Sequence, residues 1–175
     1  NRPDIYFDAE CVDLAIEFIS NIRHFLGKSA GKRFILEPWQ QFVIANILGL
    51  KWKDTGYRVC TSCYIQIARK AGKDALIAAL SLYMMVVDGE ASPEIACLAN
   101  SRDQARILFD YITNFAKSID PKGAAIKAYR NYVKCGANNG AVKVFSADAS
   151  KLDGLNVSMG VCDEIHEFKD RKLYD

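Results

Sequence analysis

The sequence feature that most constrains the fold is a glycine-lysine loop, IARKAGKDAL, at residues 67–76. A phosphate-binding loop of the Walker A kind has the pattern G-x-x-x-x-G-K-[ST]. Its backbone N–H groups surround phosphates, its lysine reaches the β- and γ-phosphates, and its hydroxyl binds Mg²⁺. Gly72 and Lys73 occupy the second glycine and the lysine, whereas Ile67 replaces the first glycine and Asp74 replaces the hydroxyl. The motif is incomplete, so its context has to decide whether it binds a nucleotide.

The segments on both sides of the loop have the composition of a strand and of a buried helix. Residues 57–68, YRVCTSCYIQIA, are rich in β-branched and aromatic residues and predict a strand. Residues 73–89 are apolar on nearly every side, which is typical of a helix packed against a sheet. A strand, a Gly-Lys loop and a buried helix in this order are the context that a P-loop requires.

A pair of carboxylates follows another apolar strand, MGVCDE, roughly 90 residues after the loop. Asp163, at the predicted strand end, can hold the Mg²⁺ that bridges phosphate oxygens. Glu164, one residue later, can position or deprotonate an attacking water. Either motif alone also fits a solvated turn. Together they predict a nucleotide site.

The rest of the chain alternates helix and strand patterns. Apolar spacing predicts a helix over 8–26 and another that begins at Pro38. Strands are predicted at 94–99 and 141–147, with a helix over 101–117 between them, capped by Ser101. Strands separated by helices predict an α/β fold with a parallel sheet. No apolar stretch is long enough to span a bilayer.

The cysteines favour a reducing compartment. Six are scattered along the chain, several of them in apolar runs. Cys60 and Cys63 form a C-x-x-C, but no second ligand pair follows at a suitable spacing, so a strand context explains them better than zinc does.

Four segments taken together resemble the large terminase subunit of tailed bacteriophages, the motor that packages viral DNA. LEPWQ at 36–40 is similar to the family's adenine-side motif, and ARKAGKDAL at 68–76 to its deviant Walker A, which lacks the first glycine. ANSRDQARILFDYI at 99–112 is similar to the segment after the second strand. LDGLNVSMGVCDEIHEF at 152–168 is similar to the Walker B region.

The resemblance implies a P-loop NTPase of the RecA/ASCE-like kind: a parallel sheet flanked by helices, with an N-terminal helical extension over 1–33 and the ATPase domain over 34–175. It implies ATP and Mg²⁺ as ligands, with Lys73 and Glu164 catalytic and Asp163 and Asp74 at the metal. The nucleotide-binding set that it implies is Trp39, Gln40, Arg69, Lys70, Ala71, Gly72, Lys73 and Asp74.

For the complete protein, the family implies double-stranded DNA, the portal and the small terminase subunit as partners, and a homo-oligomeric ring on the procapsid. The implied location is the cytoplasm of the infected bacterial host, with no membrane partner. We expect this chain to be an N-terminal fragment that stops after Walker B, without the nuclease domain of the family.

Two features depart from the family pattern. Asp74 adds a negative charge near the triphosphate, which costs about 3 kcal/mol at about 5 Å and an effective dielectric near 20 unless a cation intervenes. It could instead bind Mg²⁺ directly. An arginine finger is also not apparent, because Lys151 is the only cation shortly before Walker B, leaving Arg102 and Arg130 as weak candidates.

Two alternatives remain open at the level of sequence. The letters DEIH at 163–166 also suit a superfamily 2 helicase, in which His166 would connect the nucleotide to a second domain. From a different class, the chain could be a binding module whose P-loop has decayed, and Asp74 is the residue that favours this interpretation.

Overall fold

The elements that carry the loop and the carboxylates lie in one α/β unit. The computed structural model describes residues 2–68, 70–146 and 156–168. Its helices are α1 (Ala9–Asn21), α2 (Pro38–Ile44, continued by a wider turn over Ala45–Gly49), α3 (Lys73–Val86) and α4 (Arg102–Ile119). Its strands are β1 (Ile5–Phe7), β2 (Leu50–Trp52), β3 (Glu94–Ala99), β4 (Ile126–Ala128), β5 (Tyr132–Cys135), β6 (Ala141–Ser146) and β7 (Met159–Asp163).

The central sheet has the order β4-β5-β6-β3-β7. Its parallel part, predicted from the sequence, is confirmed: β3 pairs in parallel with both β6 and β7. An antiparallel hairpin, β4–β5, extends the sheet beyond β6 and was not predicted. Strands of three and four residues are too short for an alternating pattern to be distinguished from a loop. β1 and β2 form a separate antiparallel pair.

Helices α3 and α4 pack on the same face of the sheet. Cys97 of β3 lies 3.7 Å from Ser81 of α3, measured between Sγ and Oγ. Cys97 pairs in register with Val144, which lies beside α4. Helix α3 lies between this sheet face and its helical neighbours, with ten of its fourteen residues buried. That position explains why its sequence is apolar on nearly every side.

The N-terminal helix α1 contributes to the same core. Asp8 caps it by accepting a hydrogen bond from the Cys11 N–H at 3.0 Å. Its buried face includes Ala15 and Ile19, and its Phe18 ring packs edge-on against Tyr83 of α3. The helix ends at Asn21, earlier than predicted, because the chain then turns and Arg23 pairs with Arg33. The domain division at residue 33 remains a prediction.

The strand predicted over residues 57–68 is wrong. Arg58 makes an isolated bridge to Lys51, with backbone hydrogen bonds between Tyr57 or Val59 and β2 on either side, and residues 60–68 pair with no strand of the described chain. Tyr57 and Tyr64 are exposed. A β-branched and aromatic composition favours extended structure, but a strand forms only where a partner offers hydrogen bonds.

No helix in the described ranges is long and apolar enough to cross a membrane.

Candidate nucleotide site

The Gly-Lys loop ends at the N-terminus of α3. Gly72 caps the helix with a φ of 86°, and Lys70 also has a positive φ of 65°. An added Cβ at Gly72 would meet Gln40 Nε2 at 3.6 Å, an ordinary contact, so its backbone angle rather than crowding favours glycine here. The turn presents the free N–H groups of α3, which are suited to bind an anion.

Lys73 joins the two predicted motifs. Its Nζ donates a hydrogen bond to Glu164 Oε1 at 2.7 Å and forms an ion pair with Asp163 Oδ1 at 2.6 Å. Partial burial alone would lower the pKa of Lys73, but the two carboxylates outweigh it and raise the pKa above its ordinary value. The fold therefore brings together residues about 90 positions apart, as predicted.

The position of β7 in the sheet determines where the two carboxylates, Asp163 and Glu164, lie. Asp163 pairs in register with Ala99 of β3, and its side chain is largely buried. Asp163 Oδ1 has no well-aligned hydrogen bond, so the ion pair with Lys73 is its polar contact. Glu164 takes a left-handed backbone conformation with φ of 53°. Such a conformation is costly for a residue other than glycine and is common at functional sites.

Asp74, the second residue of α3, lies in the same pocket. Burial raises its pKa, the neighbouring charge of Asp163 raises it further, and Lys73 opposes the shift. Burial also raises the pKa of the Tyr111 hydroxyl, with a smaller contribution from the Asp74 charge. Asp74 thus adds a further carboxyl group near the contact of Lys73 with Asp163 and Glu164.

A cavity of about 830 Å³ opens over this cluster. Five predicted site residues line it: Lys70, Gly72, Lys73, Asp74 and Glu164. The cavity is also lined by residues that no sequence pattern had selected, namely Gln104 and Tyr111 of α4 and Glu167 of the turn after β7. Their seven-residue spacing puts Gln104 and Tyr111 on one side of α4, but the same spacing occurs in any amphipathic helix.

Three of the other predicted nucleotide-binding residues, Trp39, Gln40 and Ala71, do not line the cavity. Gln40 is buried, its Oε1 accepts a hydrogen bond from the Glu37 N–H at 2.9 Å, and its Nε2 faces Gly72. Trp39 packs against the core. Ala71 does not line the cavity, and Arg69 lies outside the described residues.

Of the described residues considered for other roles, His166 lies at this cavity, whereas Arg102 and Arg130 do not line it. His166 lines the cavity, and its Nδ1 lies 3.5 Å from Glu164 Oε2. Lys151 falls outside the described residues, and Arg102 and Arg130 line a different groove.

The six cysteines are free thiols. Among the described residues, no three His, Cys, Asp or Glu side chains form a group that could hold a metal by themselves.

Comparisons with known proteins identify a family, related sequences and a related fold. Residues 38–175 match the family described as terminase large subunit, ATPase domain. The chain is 23% identical over 165 residues to the terminase large subunits of Lactococcus phage SK1 and Lactococcus phage p2. These alignments cover 90% of this chain and 30% of each relative.

A solved structure has the same fold. The crystal structure of the HK97 bacteriophage large terminase matches with a TM-score of 0.71 at 22% identity. The match covers 86% of this chain and 30% of that one. These matches favour the terminase interpretation over the helicase interpretation. With the family match spanning both the Gly-Lys loop and the carboxylate pair, the chain belongs to the terminase large subunit ATPase domain family.

Proposed function

We propose that this chain binds and hydrolyses ATP, and that in the complete protein this hydrolysis powers the packaging of viral double-stranded DNA into a procapsid. The observation that carries the proposal is the contact of Lys73 with Asp163 and Glu164 at the start of α3. The family membership of residues 38–175 supports it. The chain spans about a third of the length of the relatives that it matches, so the activity of the whole protein is part of the proposal.

The donor set fits Mg²⁺ together with a triphosphate. Asp163 Oδ1 is buried without a well-aligned hydrogen bond, and Asp74 is a second carboxylate close by. Mg²⁺ is usually held by one or two carboxylates, with phosphate oxygens and waters completing its shell, which agrees with the lack of a larger acidic group among the described residues. When bound, Mg²⁺ would neutralise charge on the β- and γ-phosphates.

The side chains of the cluster have separate roles in binding the phosphates and activating the water. Lys73 exchanges its carboxylate partners for β- and γ-phosphate oxygens, because its three donors suit either. Glu164, once released from Lys73, orients the attacking water and accepts its proton. The free N–H groups of the turn at Gly72 and of the first turn of α3 bind phosphate oxygens. Lys70, at the rim of the cavity, adds positive charge.

The proposed setting follows from the family. The complete protein would act as a homo-oligomeric ring on the procapsid, with the portal and the small terminase subunit as partners, in the cytoplasm of the infected host. Trp39 and Gln40 would lie on the adenine side, with Gln40 Nε2 as the donor because its Oε1 is already bonded within α2.

The test is a calorimetric titration of the protein with a non-hydrolysable ATP analogue, with and without Mg²⁺. We expect Mg²⁺-dependent binding that Lys73→Ala abolishes and that Lys53→Ala, an exposed lysine outside the cavity, leaves unchanged. Removing Lys73 leaves Asp163 buried without its cation, so folding is checked by circular dichroism.

Two further variants separate the role of Glu164 in hydrolysis from the role of Asp74 in the Mg²⁺ dependence of binding. Glu164→Gln should keep analogue binding and lower the turnover of ATP by about 10²-fold or more. Asp74→Ser should make binding less dependent on Mg²⁺, because it removes a charge that the metal has to offset. A folded protein that binds no analogue under any of these conditions would favour a decayed P-loop and overturn the proposal.

A further inference from the structure

A second concave surface lies on the opposite side of α4 from the nucleotide cavity. At 3.6 residues per turn, Gln104 and Tyr111 face one side of the helix, while Arg102, Arg106 and Phe109 face the other. The second surface is a groove of about 640 Å³. Its walls are α4, the tip of the β4–β5 hairpin and the end of β6.

The charge of this groove is predominantly positive. Arg102, Arg106 and Arg130 line it, against a single aspartate, Asp110. Arg106 and Arg130 are exposed, and neither forms an ion pair with any residue of the described ranges. Guanidinium groups with no internal partner are available to bind phosphate.

The hairpin that carries Arg130 is held in a defined shape. The rings of Tyr129 and Tyr132 stack with centroids 4.6 Å apart and an interplanar angle of 12°. The Tyr129 N–H donates to the Tyr132 carbonyl at 2.9 Å and closes the turn. Arg130 and Asn131 are therefore presented by a short, closed turn rather than by a long loop.

Positive charge continues around the same end of the sheet. Lys127 of β4 stands directly opposite Lys134 of β5 in the strand register, on the sheet face away from α4. Like charges in this position destabilise a sheet unless an anion offsets them. The segment 101–146 as a whole holds eight Lys and Arg and three Asp and Glu, although the net charge of the chain is only +2.

We propose that this groove binds the phosphodiester backbone of duplex DNA, with Arg106 and Arg130 as phosphate contacts. The inference rests on the proposed packaging function and assigns its DNA-facing surface. A polyanion fits better than a single nucleotide because the charge extends from α4 across the hairpin to the opposite sheet face. Contacts to phosphate alone also suit a protein that has to move along DNA of any sequence.

The experiment measures fluorescence anisotropy of a labelled duplex with the protein over a series of salt concentrations. The test variant is Arg106→Ala/Arg130→Ala. The matched control is Lys28→Ala/Lys32→Ala, which removes two exposed charges from the loop after α1 and leaves the groove intact. We expect the arginine variant to bind about tenfold more weakly and to lower the slope of log affinity against log salt by about two, while the lysine variant changes neither.

Titration of the same variants with the ATP analogue separates this inference from the proposed function. Both variants should bind the analogue with the affinity of the unaltered protein. If Lys73→Ala did not change the affinity for the analogue, that result would count against the ATPase proposal but would leave the groove assignment unaffected. Equal weakening of DNA binding by the arginine and lysine variants would overturn the groove assignment, as would the absence of measurable DNA binding. Loss of analogue affinity in the arginine variant, with DNA binding unchanged, would overturn it in favour of nucleotide phosphates.

Discussion

At the start of α3, the carboxyl groups outnumber the positively charged groups in the cluster around Lys73. Lys73 contacts Asp163 and Glu164, and Asp74 follows it directly in the sequence. A triphosphate would enter a region with more negative than positive charge. We therefore expect the proposed binding to need an additional cation, and this is the physical reason to expect Mg²⁺ dependence rather than binding of the free nucleotide.

Asp74 should also affect stability in a pH-dependent way. Its pKa in the folded protein lies above the ordinary value of 3.8, so its contribution to stability is fully present below about pH 3.8 and is lost as the pH rises through the folded-state pKa. We expect Asp74→Asn to raise the melting temperature by roughly 2–4 °C at pH 7 and to have little effect near pH 3.5. Thermal unfolding followed by circular dichroism at both pH values tests this.

The matched control for that experiment is Asp103→Asn. Asp103 is the second residue of α4, as Asp74 is of α3, but it is exposed, so it should favour the helix N-terminus. Its replacement should leave the melting temperature unchanged or lower it slightly. A lower melting temperature for Asp74→Asn at pH 7 would contradict the repulsion inferred for that residue.

At the scale of elements, one residue that caps α2 also lies beside the Gly-Lys loop. Glu37 and Gln40 form a reciprocal capping box, in which each side chain accepts a backbone N–H of the other residue. The same Gln40 side chain faces Gly72. Gln40, which the resemblance implies as a base contact, is thus a structural cap, and the proposed base contact would use the other atom of the same amide.

Replacing each partner of this box separates the two roles. Glu37→Ala and Gln40→Ala should each lower the free energy of unfolding by about 1 kcal/mol, because each removes one capping hydrogen bond. Gln40→Ala alone should also weaken binding of the ATP analogue, since only Gln40 lies beside the loop. Chemical denaturation and calorimetry measure the two effects, and equal analogue affinities in the two variants would assign Gln40 a capping role only.

At the scale of the whole molecule, the segment before the loop has few internal hydrogen bonds among the described residues. No amide of residues 60–67 donates to a backbone carbonyl in the part of the chain that the structure describes. In contrast, α3 directly after the loop is hydrogen-bonded and buried. The Gly-Lys loop thus joins a solvated segment to α3, the most buried of the described helices.

Hydrogen exchange should show this difference. We expect the amides of 60–67 to exchange at nearly unprotected rates and those of 76–85 in α3 to exchange slower by a factor on the order of 10³ or more. Mass spectrometry of peptides from each segment gives both values on the same sample. Protection of 60–67 comparable with that of β3 would mean that the segment is a paired strand, as its sequence predicted.

The chain itself determined the elements whose patterns are long or chemically specific. The apolar run of α3, the Ser101 cap of α4 and the buried run of β3 were predicted from sequence and are found in the structure, because each depends on neighbours within a few residues. Gly72, Lys73, Asp163 and Glu164 were selected as candidate site residues from similarly local patterns, since a Gly-Lys turn and a strand ending in acids each have a local signature.

Only the tertiary structure decided what depends on partners distant in sequence. Residues 57–68 have a strand composition, but beyond a short contact of 57–59 with β2 they have no strand to pair with in the described chain, whereas β4 and β5 have little pattern and form because β6 offers a partner. Gln104 and Tyr111 enter the site, and Arg106 and Arg130 form a groove, because α4 packs between two surfaces. Strand pairing and convergence of side chains are long-range contacts, which local sequence patterns do not encode.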